Sequence, residues 1–134
     1  LAHCDGVTPD AAEVIIGGPM MGLAQANLDA PVIKGTTGVV VLAAHETRGE
    51  SVYPCIHCGR CLDACPVFLN PSWLGDLARV KRYDDMAENH LADCMLCGSC
   101  AYVCPSNIPL SQLFQASKVA LRRAQQAAAQ AGAA

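Results

Sequence analysis

The chain has nine cysteines in 134 residues, and eight of them fall into two runs. Cys55, Cys58, Cys61 and Cys65 lie in CIHCGRCLDACP, and Cys94, Cys97, Cys100 and Cys104 lie in CMLCGSCAYVCP. Both read C-x2-C-x2-C-x3-C-P, and the copies agree at six of twelve positions with an offset of 39 residues. Three thiolates with two residues between each can wrap one face of an iron–sulfur cubane, each holding one iron. The fourth iron needs a ligand from elsewhere, and in paired runs of this kind the fourth cysteine serves the other cluster. The spacing therefore implies two [4Fe–4S] clusters. Cys55, Cys58, Cys61 and Cys104 are expected on the first, and Cys94, Cys97, Cys100 and Cys65 on the second.

Competing chemistries fit poorly. Structural zinc sites use pairs of C-x2-C, and a third and fourth cysteine at these steps do not suit one tetrahedral ion. Thiols this crowded cannot all pair as disulfides with acceptable geometry. Gly59 and Gly98 relieve crowding where each loop bends and leave backbone N–H groups free to face sulfur. Pro66 and Pro105 redirect the chain after the fourth cysteine. Clusters of this kind pass electrons singly, so no residue is expected to act as acid, base or nucleophile.

Other conspicuous residues read more plainly. Cys4 lies far from both runs and is expected to be a small buried apolar group. His57, between two ligands, is read as an exposed spacer, with tuning of the first cluster as the sharper alternative. His3, His45 and His90 lack partners at ligand spacing and read as surface or capping residues. Gly17-Gly18-Pro19 opens a turn, and GGPMMG lacks the pattern of a phosphate loop. Lys34-Gly35-Thr36 reverses the order a phosphate loop needs and is also a turn. Arg79, Lys81 and Arg82 read as a solvated helix face, with an acidic partner or lipid headgroups as the alternative. Trp73 is divided between covering a cluster and packing in the core.

The elements that must carry these residues follow from composition and periodicity. Apolar residues make up 52% of the chain, but only six residues are aromatic, so the core has little bulk and metal sites are a plausible source of stability. A net charge of −3 argues against a nucleic-acid binder. No stretch approaches the roughly 20 apolar residues that span a bilayer, and the first ten residues do not resemble a signal peptide. The first residue is not Met, so the chain reads as a fragment or processed product. The predicted fold is α+β, in three parts. Residues 1–50 form the end of a small β-containing module, with a helix end at Leu1–Cys4 stopped by Gly6, and strands at Glu13–Ile16 and Val39–Leu42. Residues 51–110 hold the clusters. Between the runs, Ser72 caps a helix through Leu74, Leu77 and Ala78 and towards Lys81, and Asp84 or Asp85 caps a second one through His90 and Leu91. No strand pattern appears there, which favours a mainly α-helical two-cluster ferredoxin domain over the small βαββαβ type. Residues 111–134 continue a helix begun near Pro109, with Leu110, Leu113, Phe114 and Leu121 near one face and an Ala/Gln tail that is weakly specified.

Four strings together carry a resemblance: VIIGGPMMG at 14–22, PVIKGTTGVVVL at 31–42, PCIHCGRCLDACP at 54–66 and DCMLCGSCAYVCPSNIPL at 93–110. With them the chain resembles the C subunit of Rnf electron-transport complexes over residues 1–123. The cluster motifs are widely shared, and the two strings ahead of them make the likeness specific. The resemblance implies a peripheral subunit on the cytoplasmic face of a bacterial inner membrane, bound to other subunits of that complex. It implies an oxidoreductase coupling electron transfer between NADH and ferredoxin to ion movement, with FMN and NADH held on a portion that precedes this chain. Residues 1–50 would then end a β-grasp module of the SLBB type. The alternative is a free ferredoxin-type carrier, or the cluster subunit of a heterodisulfide-reductase or succinate-dehydrogenase type enzyme. Residues 7–42 discriminate, since a free ferredoxin has no need of them.

Overall fold

A computed structural model describes residues 5–47 and 51–131. The chain divides into two compact units, Leu1–Glu50 and Ser51–Ala134. The expectations for His3, Cys4 and a helix end at Leu1–Cys4 lie outside the described residues.

The first unit is a three-stranded antiparallel sheet. Its strands are β1 (Ala11–Ile16), β2 (Leu23–Ala24) and β3 (Val39–Ala43), in the order β2-β1-β3. β1 and β3 pair from Ile16 with Val39 to Ala11 with Ala43, with a register shift between Ala11 and Glu13. Both run slightly longer than the Glu13–Ile16 and Val39–Leu42 expected from the sequence. β2 gives almost no sequence signal, because two residues carry no period. Its pairing with Ile15 and Ile16 is set by the GGPMMG turn. In that turn the Gly22 N–H donates to the Gly18 carbonyl at 2.7 Å, and the Gly17 N–H donates to the Gly38 carbonyl at 2.9 Å. A side chain at Gly22 would meet Ile15 Cγ2 and stand 2.8 Å from the Ile16 carbonyl, so only glycine lets the strands close. Lys34–Gly35 is a second turn, closed by the Thr36 N–H on the Ile33 carbonyl at 2.9 Å.

The second unit is helical. Short α1 (Arg60–Asp63) and α4 (Ser99–Tyr102) sit inside the cysteine runs, and α2 (Pro71–Arg79), α3 (Tyr83–Glu88) and α5 (Leu110–Ala131) build the rest, with a 3-10 turn at Leu91–Asp93. No strand lies between Cys65 and Cys94. The sequence repeat is also a repeat of backbone shape. Left-handed residues recur at the same offset of 39: His57 and Leu96, Gly59 and Gly98, Phe68 and Asn107. A left-handed Leu or Phe is strained, and such strain persists only where the surroundings hold the loop in shape. Each half is thus a cysteine loop, a one-turn helix, a fourth cysteine and a longer helix. The two longer helices, α2 and α5, pack together.

The core is small and mostly aliphatic. Leu74, Leu77, Ala78, Met86, Leu91, Cys100, Ile108, Leu110 and Phe114 are buried in one cluster. Gly75 allows the close approach of α2 to α5, since a Cβ there would stand 2.6 Å from Leu110 Cδ2. On α5 the expected face is the packed one: Leu110, Phe114 and Ser117 are buried, and Leu113 and Leu121 are partly so.

Three details correct the sequence reading. The cap of α2 is Asn70, not Ser72: its side chain accepts from the Trp73 N–H at 3.2 Å, and Pro71 takes the first helical position. Ser72 instead donates its hydroxyl to Asn70 Oδ1 at 2.8 Å. α2 ends at Arg79, so the exposed, left-handed Lys81 lies beyond it. Asp84 and Asp85 do not cap α3; they lie in its first turn, where their charge suits the helix dipole, and the helix stops at Glu88, so His90 and Leu91 fall outside it. α5 runs through the Ala/Gln segment to Ala131, within the helix expected over 111–134. Ala, Gln and Arg rank high as helix formers, which outweighs the lack of an apolar stripe there.

Candidate cluster sites

The eight cysteines of the two runs gather around two separate hollows. The first holds about 480 Å³ of empty space including its mouth, and Cys55, Cys58, Cys61 and Cys104 line it. The second holds about 380 Å³ on the same measure, lined by Cys65, Cys94, Cys97 and Cys100. Each hollow therefore draws three thiols from one run and the fourth from the other. The loops of residues 55–59 and 94–98 wrap the hollows, and α1 and α4 carry Cys61 and Cys100 on their inner sides. Backbone bonds stitch the crossing. The Tyr53 N–H donates to the carbonyl of buried Ser106 at 2.9 Å, which holds the stretch before Cys55 beside the stretch after Cys104.

Four thiols line each hollow, the donor set that a four-iron cluster takes. No three His, Cys, Asp or Glu side chains among the described residues converge as for a single ion. Two sulfurs already accept backbone N–H groups, from His57 to Cys55 Sγ and from Leu69 to Cys65 Sγ, each at 3.4 Å.

The thiol chemistry reflects the same grouping. Burial pushes Cys61 up, its own backbone N–H opposes this, and repulsion from Cys104, Cys55 and Cys58 adds to the rise. Burial pushes Cys100 up to about 11, with repulsion from Cys94, Cys97 and, more weakly, Cys61. Cys97 is lowered, chiefly by the side-chain hydrogen bond with Ser99 at 3.4 Å. Metal binding must displace the protons of the raised thiols, so loading a cluster here releases protons.

The remaining residues sort against expectation in several places. His57 is exposed and offers its backbone, while its ring serves as a spacer at the rim of the first hollow. Trp73 is half exposed, lines neither hollow and lies outside the core cluster, so neither expected role is realised. His45 and His90 are exposed. The basic group on and after α2 divides: Arg82 pairs with Asp85, whereas Arg79 lines the first hollow together with Ser72, Gly75 and Asp76. These four fall at i, i+3, i+4 and i+7, one face of α2, opposite the face that buries Leu74, Leu77 and Ala78. Lys118 drew no attention in the sequence. Its ammonium donates to the carbonyl of Ala92 at 2.9 Å and also to that of Cys94. The available signal was the repeat itself, because Lys118 stands 39 residues after Arg79.

Comparison with known proteins agrees with this geometry. Residues 54–108 match the family model of the 4Fe-4S dicluster domain. The chain is 42% identical over 118 residues to the C subunit of the ion-translocating oxidoreductase complex of Rhodobacter capsulatus, covering 88% of this chain and 23% of that protein. Over most of its own length the chain is therefore similar to C subunits of this kind, and its cysteine region to the dicluster domain. Two further relatives are the C subunits of the proton-translocating ferredoxin:NAD(+) oxidoreductase complex of Clostridium ljungdahlii and of the Na(+)-translocating complex of Acetobacterium woodii. They are 42% and 37% identical, over 65% and 68% of this chain and 19% and 20% of their own lengths. The chain thus spans about a fifth to a quarter of the relatives it matches. No helix among the described residues is long and apolar enough to cross a membrane.

Proposed function

We propose that this chain is the two-cluster relay of an Rnf-type C subunit. Cys55, Cys58, Cys61 and Cys104 hold one [4Fe–4S] cluster, and Cys94, Cys97, Cys100 and Cys65 hold the other. The sorting of the thiols into two sets of four, each around its own hollow, carries this reading. When bound, each cluster accepts and gives up one electron at a time. The chain's own residues hold, orient and screen. The thiolates fix the irons, and the N–H groups of His57 and Leu69 stabilise sulfur charge. Leu69, Leu96 and Phe114 keep water from the second hollow, and the crossing of Cys65 and Cys104 holds the two sites side by side. No side chain has to move a proton.

The wider role rests on the relatives. The alignment with the Rhodobacter capsulatus protein is longer than the helical unit, so it takes in residues of the β unit, which a free carrier has no need of. We read the β unit as part of a β-grasp module of the SLBB type. FMN and NADH then belong to a portion outside this sequence, and the relay links that flavin with other subunits of an NADH–ferredoxin oxidoreductase that moves ions. The protein is peripheral, on the cytoplasmic side of a bacterial inner membrane. Anaerobically purified protein should be brown and carry about eight irons and eight sulfides per chain, as two four-iron clusters require. A colourless protein with two zincs would end the reading. In membranes carrying the full-length protein, NADH should bleach the clusters, and clusters unresponsive to NADH would remove the wider assignment.

A further inference from the structure

The two halves carry a cation at the same position of the repeat. Fourteen residues after the fourth cysteine of each run stands a basic residue, Arg79 on α2 and Lys118 on α5. They are equivalent under the 39-residue repeat, and so are Ser72 and Ser111, which line the first and second hollows respectively. Arg79 is on the wall of the first hollow, and among the described residues it forms no ion pair. Lys118 reaches the second site by a different route. Its ammonium is bound to the carbonyl of Cys94, the first cysteine of the second run, and to that of Ala92.

The placement of Arg79 does not serve the core. Arg79 is exposed at the last turn of α2, and a surface arginine has no need to face a cysteine-lined hollow. The rest of the lining shows what the charge can do. Around the second hollow the non-cysteine side chains are Pro66, Val67, Leu69, Pro71, Met95 and others without a formal charge. Around the first, the formal charges are Asp76 and Arg79, with His57 at the rim. Each one-electron reduction adds a unit of negative charge inside a hollow whose thiolates are already negative. A fixed cation beside it lowers the cost of that charge, an anion raises it, and reduction potential follows net charge and exposure.

We propose that Arg79 and Lys118 are paired positioning charges, each raising the reduction potential of one cluster: Arg79 from the wall of the first hollow, and Lys118 from outside the second, through its bond to the Cys94 carbonyl. The inference rests on the two-cluster reading and assigns it a control. Because ligation crosses, Arg79 acts on the cluster of Cys55, Cys58, Cys61 and Cys104, although it follows Cys65 in sequence. Asp76, one turn away on the same face, acts on the same cluster with opposite sign. Arg79 is exposed, so salt screens its effect; Lys118 is partly buried against carbonyls and is screened less.

The test is an EPR-monitored potentiometric titration of the holo-protein, with dithionite supplying one electron per cluster. Arg79→Gln should shift one of the two potentials down and leave the other in place. Arg79→Lys should restore it, and Asp76→Asn should shift the same potential up. Lys118→Gln should lower the other potential. Arg79→Gln that moves neither potential, or moves both alike, overturns the proposal. Arg79 lies off the core, so its variants decide the matter even where Lys118→Gln loses iron by freeing residues 92–94. Wild-type protein lacking about eight irons would instead sink the two-cluster reading. Two intact clusters indifferent to Arg79 would sink this inference alone.

Discussion

Replacing Cys104 by Ala tests the crossed arrangement most directly. Cys104 lies in the second run yet lines the first hollow with Cys55, Cys58 and Cys61. Its loss should therefore remove the cluster that Cys58→Ala removes, and not the one that Cys97→Ala removes. Iron should fall from about eight to about four per chain, as two four-iron clusters require. The stability change follows from the loop that the ligand closes. Cys61 and Cys104 are 43 residues apart, and Cys61 and Cys65 only four. If a cluster bond constrains the unfolded chain as a cross-link does, the crossed bond contributes about 4 kcal/mol, and a bond within one run about 2 kcal/mol. Because the whole cluster is lost, Cys104→Ala should cost at least the crossed bond's about 4 kcal/mol in anaerobic denaturant unfolding, with the iron count and the EPR of the dithionite-reduced protein read alongside. Cys65→Ala should mirror it on the other cluster. If Cys104→Ala and Cys97→Ala abolish the same EPR signal, ligation is local and the reasoning from the hollows is wrong.

Three further outcomes are expected. Phe114 is 2% exposed, sits in the core cluster and lines the second hollow; Phe114→Ala should cost about 3–5 kcal/mol in unfolding and release iron from one cluster first, and an equal loss from both would refute its place. Gly22→Ala forces a Cβ against Ile15 and the backbone of the GGPMMG turn, so amide exchange in the β strands should speed up while the iron content stays at that of the wild type. In cluster-free protein Cys97, lowered by Ser99, should react with iodoacetamide well before Cys100, which burial raises to about 11; more of Cys97 is thiolate at neutral pH, and the thiolate is the nucleophile. Peptide mapping of the alkylated protein gives the order, and Cys100 reacting first would contradict it.

Much of the site was legible because ligand chemistry is local in the chain. Steps of two and three residues between cysteines are dictated by the size of one cluster, and the duplicated run declares two of them without reference to any fold. The helical character of residues 66–93 was legible as well, since Leu74, Leu77 and Ala78 keep helical spacing and are buried side chains of α2. Caps were misread because Asn70 and Ser72 are both good capping types, and the choice depends on where Pro71 starts the helix. β2 was invisible because a two-residue strand is defined by its partner alone.

What the sequence by itself determined was the duplicated cysteine run, whose eight thiols we propose hold the two clusters. Sulfur spacing is covalent, so it survives without tertiary structure. What only the tertiary structure decided was the company those residues keep. The sharing of a hollow by Cys104 and Cys55 depends on α1 meeting α4, and on Tyr53 reaching Ser106 across more than fifty residues of chain. The charge of Arg79 facing the first site, and that of Lys118 tied to Cys94, depend on how α2 and α5 are turned when Gly75 lets them close on Leu110. Electrostatic influence runs through space, and the linear order of the chain carries almost no record of it.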